Sequence, residues 1–240
     1  TSRILGSITT KAGYDMWEGP YGNWGSRKYL LASLDQSLKR MGLEYVDIFY
    51  HHRMDTETPL EETMGALADI VRSGKALYAG VSNYNEEYTR RASEILKSLH
   101  CPFIVNQRRY SIFDREIEHD GVKYFCKENG IGIIAFSPLA QGLLTDKYMN
   151  GIPEDSRIKR DGRFLKPEAI SEAYISKVKA LNRIAADRGQ TLSWILKDED
   201  VCSVLVGASS PKQIEEDAKI VGHTEFQAAE LEQINEIVHN

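Results

Sequence analysis

The sequence predicts an α/β fold built on a parallel sheet. Six short runs rich in Val, Ile, Phe and Tyr recur along the chain, each continuous rather than alternating, as in strands covered on both faces. The stretches between them carry the wider apolar spacing of helices. No segment rich in Pro, Gly or Ser interrupts this order, so residues 1–240 read as a single domain.

The strands fall at Ser7–Thr10, Val46–Tyr50, Ala76–Val81, Phe103–Asn106, Gly132–Phe136 and Ser203–Val206. The first helix opens at Ser26 as N-cap. Its apolar stripe runs through Leu30, Leu31, Leu34, Leu38 and Met41, and Gly42 stops it. Thr58-Pro59-Leu60-Glu61 reads as a cap, a proline at the first helical position and a capping-box glutamate; that helix runs to about Ser73 and Gly74. Asn85 opens a third helix, which ends before Pro102. Gly121–Asn129 and Ser171–Arg188 are further helices, Ser210-Pro211 opens another, and Glu230–Val238 comes last. A short helix is expected from Gln190-Thr191 to the Lys197–Asp200 turn. Repeating βα units give either an open doubly wound sheet or a closed barrel; a closed barrel needs eight strands, and the count of six favours the open sheet.

Composition excludes several classes of function. With 42% hydrophobic and 27% charged residues the chain reads as globular. Its net charge is −5 and its basic residues are scattered, so no nucleic-acid footprint is expected. No apolar run approaches the ~20 residues of a membrane span, and TSRILGSITT lacks a signal-peptide core. Cys101, Cys126 and Cys202 have no metal-ligand spacing, which points to reduced thiols in the cytoplasm; no metal is expected.

The strand ends are where chemistry is expected, because ligands of parallel α/β folds gather at the C-terminal ends of strands. They are unusually polar: Thr9-Thr10-Lys11, His51-His52-Arg53, Ser82-Asn83, Asn106-Gln107, Ser137-Pro138 and Gly207–Ser210. Any one of these is more often an N-cap, a turn or a solvated side chain. All six on one rim is the pattern a binding site requires. A lysine and a histidine on neighbouring strand ends can tune an acid or polarise a carbonyl. The amides of Asn83 and Gln107 offer donor and acceptor groups to a planar ligand. There is no GxGxxG after a strand, no GxxxxGK[ST] and no HExxH. The amides of the Gly207–Ser210 loop, at the start of a helix, are the remaining candidate for phosphate.

The motifs TTKAGY, VDIFYHHR, GVSNY, VNQ, AFSPLAQGLLTDKY, GIPEDSR and SVLVGASSPKQIEED stand here in the order found in aldo-keto reductases, and the resemblance covers nearly the whole chain. It is closest to the branch of bacterial L-glyceraldehyde-3-phosphate reductases and potassium-channel β subunits. The resemblance implies a (β/α)8 TIM barrel that binds NADPH at its C-terminal rim. The six strands then correspond to the third to eighth of the family barrel. The two strands expected to carry the family's catalytic Asp and Tyr have no match here, so the N-terminal part of the barrel is expected to be missing from this sequence. The chain is also shorter than the family pattern between Thr191 and Ser193, which suggests a second gap.

Residue by residue, the resemblance implies that Lys11 and His52 are catalytic. It places Ser82, Asn83 and Gln107 at the nicotinamide carboxamide and Phe136 against the nicotinamide ring. Ser137, Leu139, Gln141 and Gly142 match the pyrophosphate and ribose loop. Lys147, Arg157, Ser209 and Gln213 match groups near the 2′-phosphate and adenosine, and Glu216 the adenine contact. Asp217 departs from the family's usual Asn, and a carboxylate cannot donate as an amide can. Tyr14 and Trp17 are candidate walls of the substrate pocket; packing of Trp17 against loop residues carries equal weight. Strand alternation turns His51 away from His52. Arg53 is read as a structural ion pair ahead of a substrate-phosphate contact.

The function implied is NADPH-dependent reduction of small aldehydes to alcohols, with L-glyceraldehyde 3-phosphate or methylglyoxal as suggested substrates and a homo-oligomer as a possible state. The alternative is an NADPH-binding regulatory subunit like the channel β subunits. In that branch the His52 position is typically Asn, so the histidine favours an enzyme.

Overall fold

Six strands and seven α-helices alternate among the described residues of the computed structural model, which are 6–19, 21–140, 170–187, 193–208, 210–219 and 223–239. The strands are β1 (Thr9–Ala12), β2 (Val46–His51), β3 (Ala76–Ser82), β4 (Phe103–Arg109), β5 (Gly132–Phe136) and β6 (Val201–Val204). The helices are α1 (Arg27–Met41), α2 (Leu60–Arg72), α3 (Glu86–Ser98), α4 (Val122–Glu128), α5 (Glu172–Asp187), α6 (Pro211–Ala218) and α7 (Ala228–His239). Strand order follows chain order, β1 to β6. The chain divides into one unit of Thr1–Arg108 with Glu116–Ile134 and another of Arg109–Arg115 with Ala135–Asn240.

In the first unit the β1–β2, β2–β3 and β3–β4 ladders are all parallel. Paired residues of a parallel ladder share a face, and successive residues alternate. Lys11, Tyr50, Gly80 and Val105 therefore form a row on one face, with His52, Ser82 and Gln107 two residues further on. Ala12, His51, Val81 and Asn106 form the adjacent row on the other face. This opposite face is the helix-covered one: Ala12, Phe49, Ala79 and Val81 join Tyr29, Leu30 and Leu34 of α1, Met64, Leu67 and Ile70 of α2, and Ala92 and Leu96 of α3 in one buried cluster. On the inner row a Cβ at position 80 would stand 2.7 Å from the Tyr50 ring and 3.1 Å from Val105 Cγ1, so only glycine lets that ring cross β3.

The helix signals act as the local chemistry dictates. Ser26 accepts from Tyr29 N–H at 3.4 Å, and Gly42 ends α1 in the left-handed region at φ 65°. Asn85 caps α3 by accepting from Tyr88 N–H at 3.0 Å, and Ser210 caps α6 by accepting from Gln213 N–H at 3.4 Å. The start of α2 differs from expectation. Pro59 is itself the N-cap and no side chain caps the helix. The turn before it is held instead by Asp55, whose Oδ1 accepts from the N–H groups of Glu57 and Thr58.

Two strands are shifted. β1 runs two residues past the expected Thr10 because the ladder continues, with His52 N–H donating to Ala12 O at 2.8 Å. A lysine does not end this strand, since only its inner side needs room for the charge. β6 lies two residues earlier than Ser203–Val206: Val201 is buried, whereas Leu205 and Val206 are 42% exposed.

In the second unit α5 contributes Val178, Leu181 and Ile184 to the interior and α7 contributes Ile234. Trp194, in the 3-10 turn Trp194–Leu196, packs its ring 5.3 Å from Tyr110 beneath the Lys197 ammonium. The expected helix start at Gln190-Thr191 and the expected gap after Thr191 lie outside the described residues. Among the described residues no helix is long and apolar enough to cross a membrane, and no group of His, Cys, Asp and Glu is placed to hold a metal ion.

Candidate active site

Lys11 and Gln107 define the site. Their strands are three spacings apart, about 14 Å on a flat sheet. Side chains standing off such a sheet would not meet. Here Lys11 Nζ donates to Gln107 Oε1 at 2.6 Å, so the sheet of this unit curls and its inner face becomes concave. No carboxylate lies within ion-pair distance of Lys11 among the described residues, and burial lowers its pKa. The ammonium is thus only partly solvated and balanced by a neutral amide.

His52 stands on the same concave face, one strand over. Its pKa is lowered to about 4, first by burial and then by the charges of Lys11 and Arg53. At neutral pH the imidazole is uncharged and keeps one N–H to donate. The Tyr14 ring lies edge-on, 4.6 Å from the His52 ring. Tyr14 is 46% exposed beside His52, and its backbone carbonyl accepts from Tyr29 Oη–H at 2.5 Å. Trp17 takes the packing role: its ring sits 5.1 Å from that of Tyr29, partly buried against the helix layer.

Ser82 and Asn83 complete the rim. Ser82 is fully buried and its hydroxyl donates to Gln107 O at 3.0 Å. Asn83 adopts φ 59°, a left-handed conformation that Asn tolerates better than most residues. That turn aims its Nδ2 at His52 O, 3.0 Å away, and at Ser82 Oγ, 3.2 Å away. The two amide groups are therefore oriented by their partners: Asn83 has committed its nitrogen, and Gln107 its oxygen. What remains is an acceptor, Asn83 Oδ1, beside a donor, Gln107 Nε2, neither with a partner among the described residues. A primary carboxamide, one N–H donor group and one C=O acceptor, is the complement of that pair.

His51 faces the helices, as alternation requires. It is buried, its Nδ1 lies 2.6 Å from Tyr84 Oη, and burial lowers its pKa to about 4. Arg53 is not the structural ion pair expected from the sequence. Its Nε donates to Gly13 O and an Nη to Asn23 Oδ1, and the guanidinium carbon lies over the rings of Tyr14 and Trp24. The aromatic pair supplies a stabilising environment without a carboxylate. Trp24 and Asn23, on the loop after β1, were not singled out by sequence reasoning. The only signal for them was their position in the same loop as Tyr14 and Trp17.

In the second unit Phe136 is the last residue of β5 and Ser137 turns the chain at φ 55°. Leu139 is 36% exposed. Gln213 and Glu216 lie exposed on α6, with Asp217 half-buried beside them; burial and the neighbouring Glu216 raise the Asp217 pKa. Gln141, Gly142, Lys147, Arg157 and Ser209 lie outside the described residues.

A parallel βα sheet with a lysine, a neutral histidine and carboxamide-matched amides at its C-terminal strand ends is the architecture of a (β/α)8-barrel oxidoreductase. The chain belongs to the aldo/keto reductase family, whose pattern matches residues 6–239. It is 54% identical over 237 residues to an L-glyceraldehyde 3-phosphate reductase of Escherichia coli O157:H7, covering 95% of this chain and 68% of the relative. The corresponding enzyme of Escherichia coli strain K12 is 53% identical over 237 residues with the same coverage. Among solved structures, the thermostable aldo-keto reductase Tm1743 in complex with the inhibitor epalrestat superposes with a TM-score of 0.68 at 29% identity, over 89% of this chain and 67% of that one. The chain is accordingly an NADP-dependent oxidoreductase of aldehyde-reducing type.

Proposed function

We propose that the concave face around Lys11 and His52 reduces small aldehydes with NADPH bound along the strand ends, and that L-glyceraldehyde 3-phosphate is its substrate. The observation that carries the reading is the 2.6 Å contact of Lys11 with Gln107, which gathers the candidate acid-tuning cation and the candidate cofactor amide at one point beside a neutral histidine.

When bound, NADPH supplies the hydride. This chain's own groups bind and orient, while the proton that completes the alcohol is assigned to the phenol of the tyrosine the resemblance implies. Asn83 Oδ1 and Gln107 Nε2 hold the carboxamide of the nicotinamide and so fix which ring face meets the substrate. Neutral His52 donates an N–H to the carbonyl oxygen, orienting it and drawing charge toward it. The Lys11 ammonium favours the anionic form of a phenol placed next to it, which is the role the family assigns to this lysine. Tyr14 covers the pocket beside His52 and limits water. Phe136 and Ser137 are proposed for the nicotinamide ring and pyrophosphate, with Leu139, Gln213, Glu216 and Asp217 along the rest of the cofactor. The cytoplasm is the proposed setting, consistent with Cys101 and Cys126 as buried free thiols.

The test is oxidation of NADPH by the full-length natural protein and its His52→Ala variant against a panel of small aldehydes. Rapid turnover of the phosphorylated three-carbon aldehyde, lost in the variant, is the expected result. If the two proteins are equally inert while both bind NADPH, the chain is a binding subunit and the reductase reading fails.

A further inference from the structure

We infer that Arg53 sets the substrate preference of this site: its guanidinium takes up the anionic group of a small aldehyde whose carbonyl lies against His52. The inference rests on the reading of the site as an aldehyde reductase.

Arg53 follows His52 directly at the end of β2; of the other described arginines of its unit, only the exposed Arg40, bonded to Gln36 and Ser37, also has no carboxylate. Arg27, Arg72, Arg90, Arg91 and Arg108 are each held by a carboxylate. Among the described residues no carboxylate comes within ion-pair distance of Arg53. Its guanidinium carbon lies over two rings, 4.1 Å from the Tyr14 centroid and 3.8 Å from that of Trp24. Its Nε donates to Gly13 O at 2.8 Å and one Nη to Asn23 Oδ1 at 2.9 Å. Two of the five N–H donors of the guanidinium are used in this way, and three on the Nη edge have no partner among the described residues.

That arrangement has a physical consequence. A partly buried cation without a counter-charge is held at a cost that an arriving anion relieves. Stacking and the two hydrogen bonds fix the plane of the fork before any ligand arrives, so little side-chain freedom is lost on binding. A fixed fork of Nη donors matches two oxygens of a phosphate or carboxylate. Lys11 adds a second cation without a carboxylate partner among the described residues, and both charges act on His52, so the mouth of the site is positive although the whole chain is acidic.

The distance suits a short substrate. Tyr14 contacts both groups, its ring 4.6 Å from that of His52 in an edge-to-face arrangement and 4.1 Å from the Arg53 guanidinium carbon. A three-carbon aldehyde with a terminal phosphate can lie along the exposed rim of Tyr14, its carbonyl at His52 and its anion at Arg53. The same contacts would serve a residue that does no more than clamp the Gly13–Trp24 loop, and the experiment must separate the two.

The test uses the full-length protein with Arg53→Gln and Arg53→Lys, measured with glyceraldehyde 3-phosphate and with uncharged methylglyoxal. The expected result is a fall of tenfold or more in the ratio of kcat/KM for the phosphorylated aldehyde to that for methylglyoxal in Arg53→Gln. Arg53→Lys should retain part of the preference, because it keeps the charge and loses the fork. Equal proportional losses for both aldehydes would identify a loop clamp and overturn the inference, as would unchanged ratios. A wild-type protein that reduces neither aldehyde overturns the reductase reading itself. Where Arg53→Gln does not fold, inorganic phosphate serves as the probe of the wild type. Inhibition competitive with the aldehyde is expected; no inhibition, or competition with NADPH alone, overturns the inference.

Discussion

Lys11 Nζ and Gln107 Oε1 meet at 2.6 Å across 96 positions of sequence. The contact joins the first and fourth strands of the sheet and places the proposed catalytic cation on the amide proposed to hold the cofactor. On the proposed reading, cofactor binding and lysine placement are coupled through one side chain. Gln107→Leu removes both partnerships. It is expected to weaken NADPH binding about tenfold, the scale of one hydrogen bond of ~1.5 kcal/mol. Fluorescence titration with NADPH measures this, and an unchanged affinity would show that the amide does not touch the cofactor.

His52 is held neutral far below its ordinary pKa of 6.5 by burial, Lys11 and Arg53. Protonation of His52 therefore contributes no acid limb to kcat/KM between pH 8 and about 5. The rate falls only as pH approaches about 4, provided the protein stays folded. His52→Ala should lower kcat about 100-fold at neutral pH, the cost of one preorganised donor to the carbonyl oxygen. A bell-shaped profile with an acid limb near 6.5 that disappears in the variant would contradict the neutral assignment.

The buried His51 contributes to acid stability, as the equally shifted His52 does. Its folded-state pKa of about 4 lies below the ordinary 6.5, so between those values the unfolded chain takes up a proton that the folded chain refuses. Stability from this group is complete above about 6.5 and drains away as pH falls toward 4. His51→Gln keeps a polar partner for Tyr84 and removes the titration. Its Tm should depend less on pH across this window than that of the wild type, as thermal unfolding followed by circular dichroism would show. Parallel Tm curves would place the acid sensitivity elsewhere.

Asp217 stands where the resemblance implies Asn. A carboxylate accepts only, whereas its protonated form can donate, and burial and Glu216 raise its pKa above 3.8. Asp217→Asn should tighten NADPH binding a few-fold at neutral pH, with a smaller gain at acid pH, where the wild type already holds a donor. Calorimetric titration at two pH values checks this. Equal affinity of variant and wild type at neutral pH would remove Asp217 from the cofactor site.

Much of this was legible in the residues themselves. Ser26, Asn85 and Ser210 cap helices because a side-chain oxygen three positions before an orphan N–H is a local relationship. The separation of His51 from His52 follows from the two-residue period of any strand. The polar strand ends marked the rim, and the motif order identified the family. Other features were misread for local reasons. β1 runs to Ala12 rather than Thr10, and Pro59 is the N-cap of α2 rather than its first residue.

The sequence by itself determined the alternation of elements, the face on which each strand residue lies and the kinds of chemical group at the rim. These depend on near neighbours and on periodicity. Only the tertiary structure decided that Lys11 reaches Gln107, that His52 is neutral and that Arg53 lies over the rings of Tyr14 and Trp24 with no carboxylate partner among the described residues. Each of these depends on how far the sheet curls and on which loop folds over its edge. Curvature and burial are sums over many distant contacts, and no single stretch of chain encodes them.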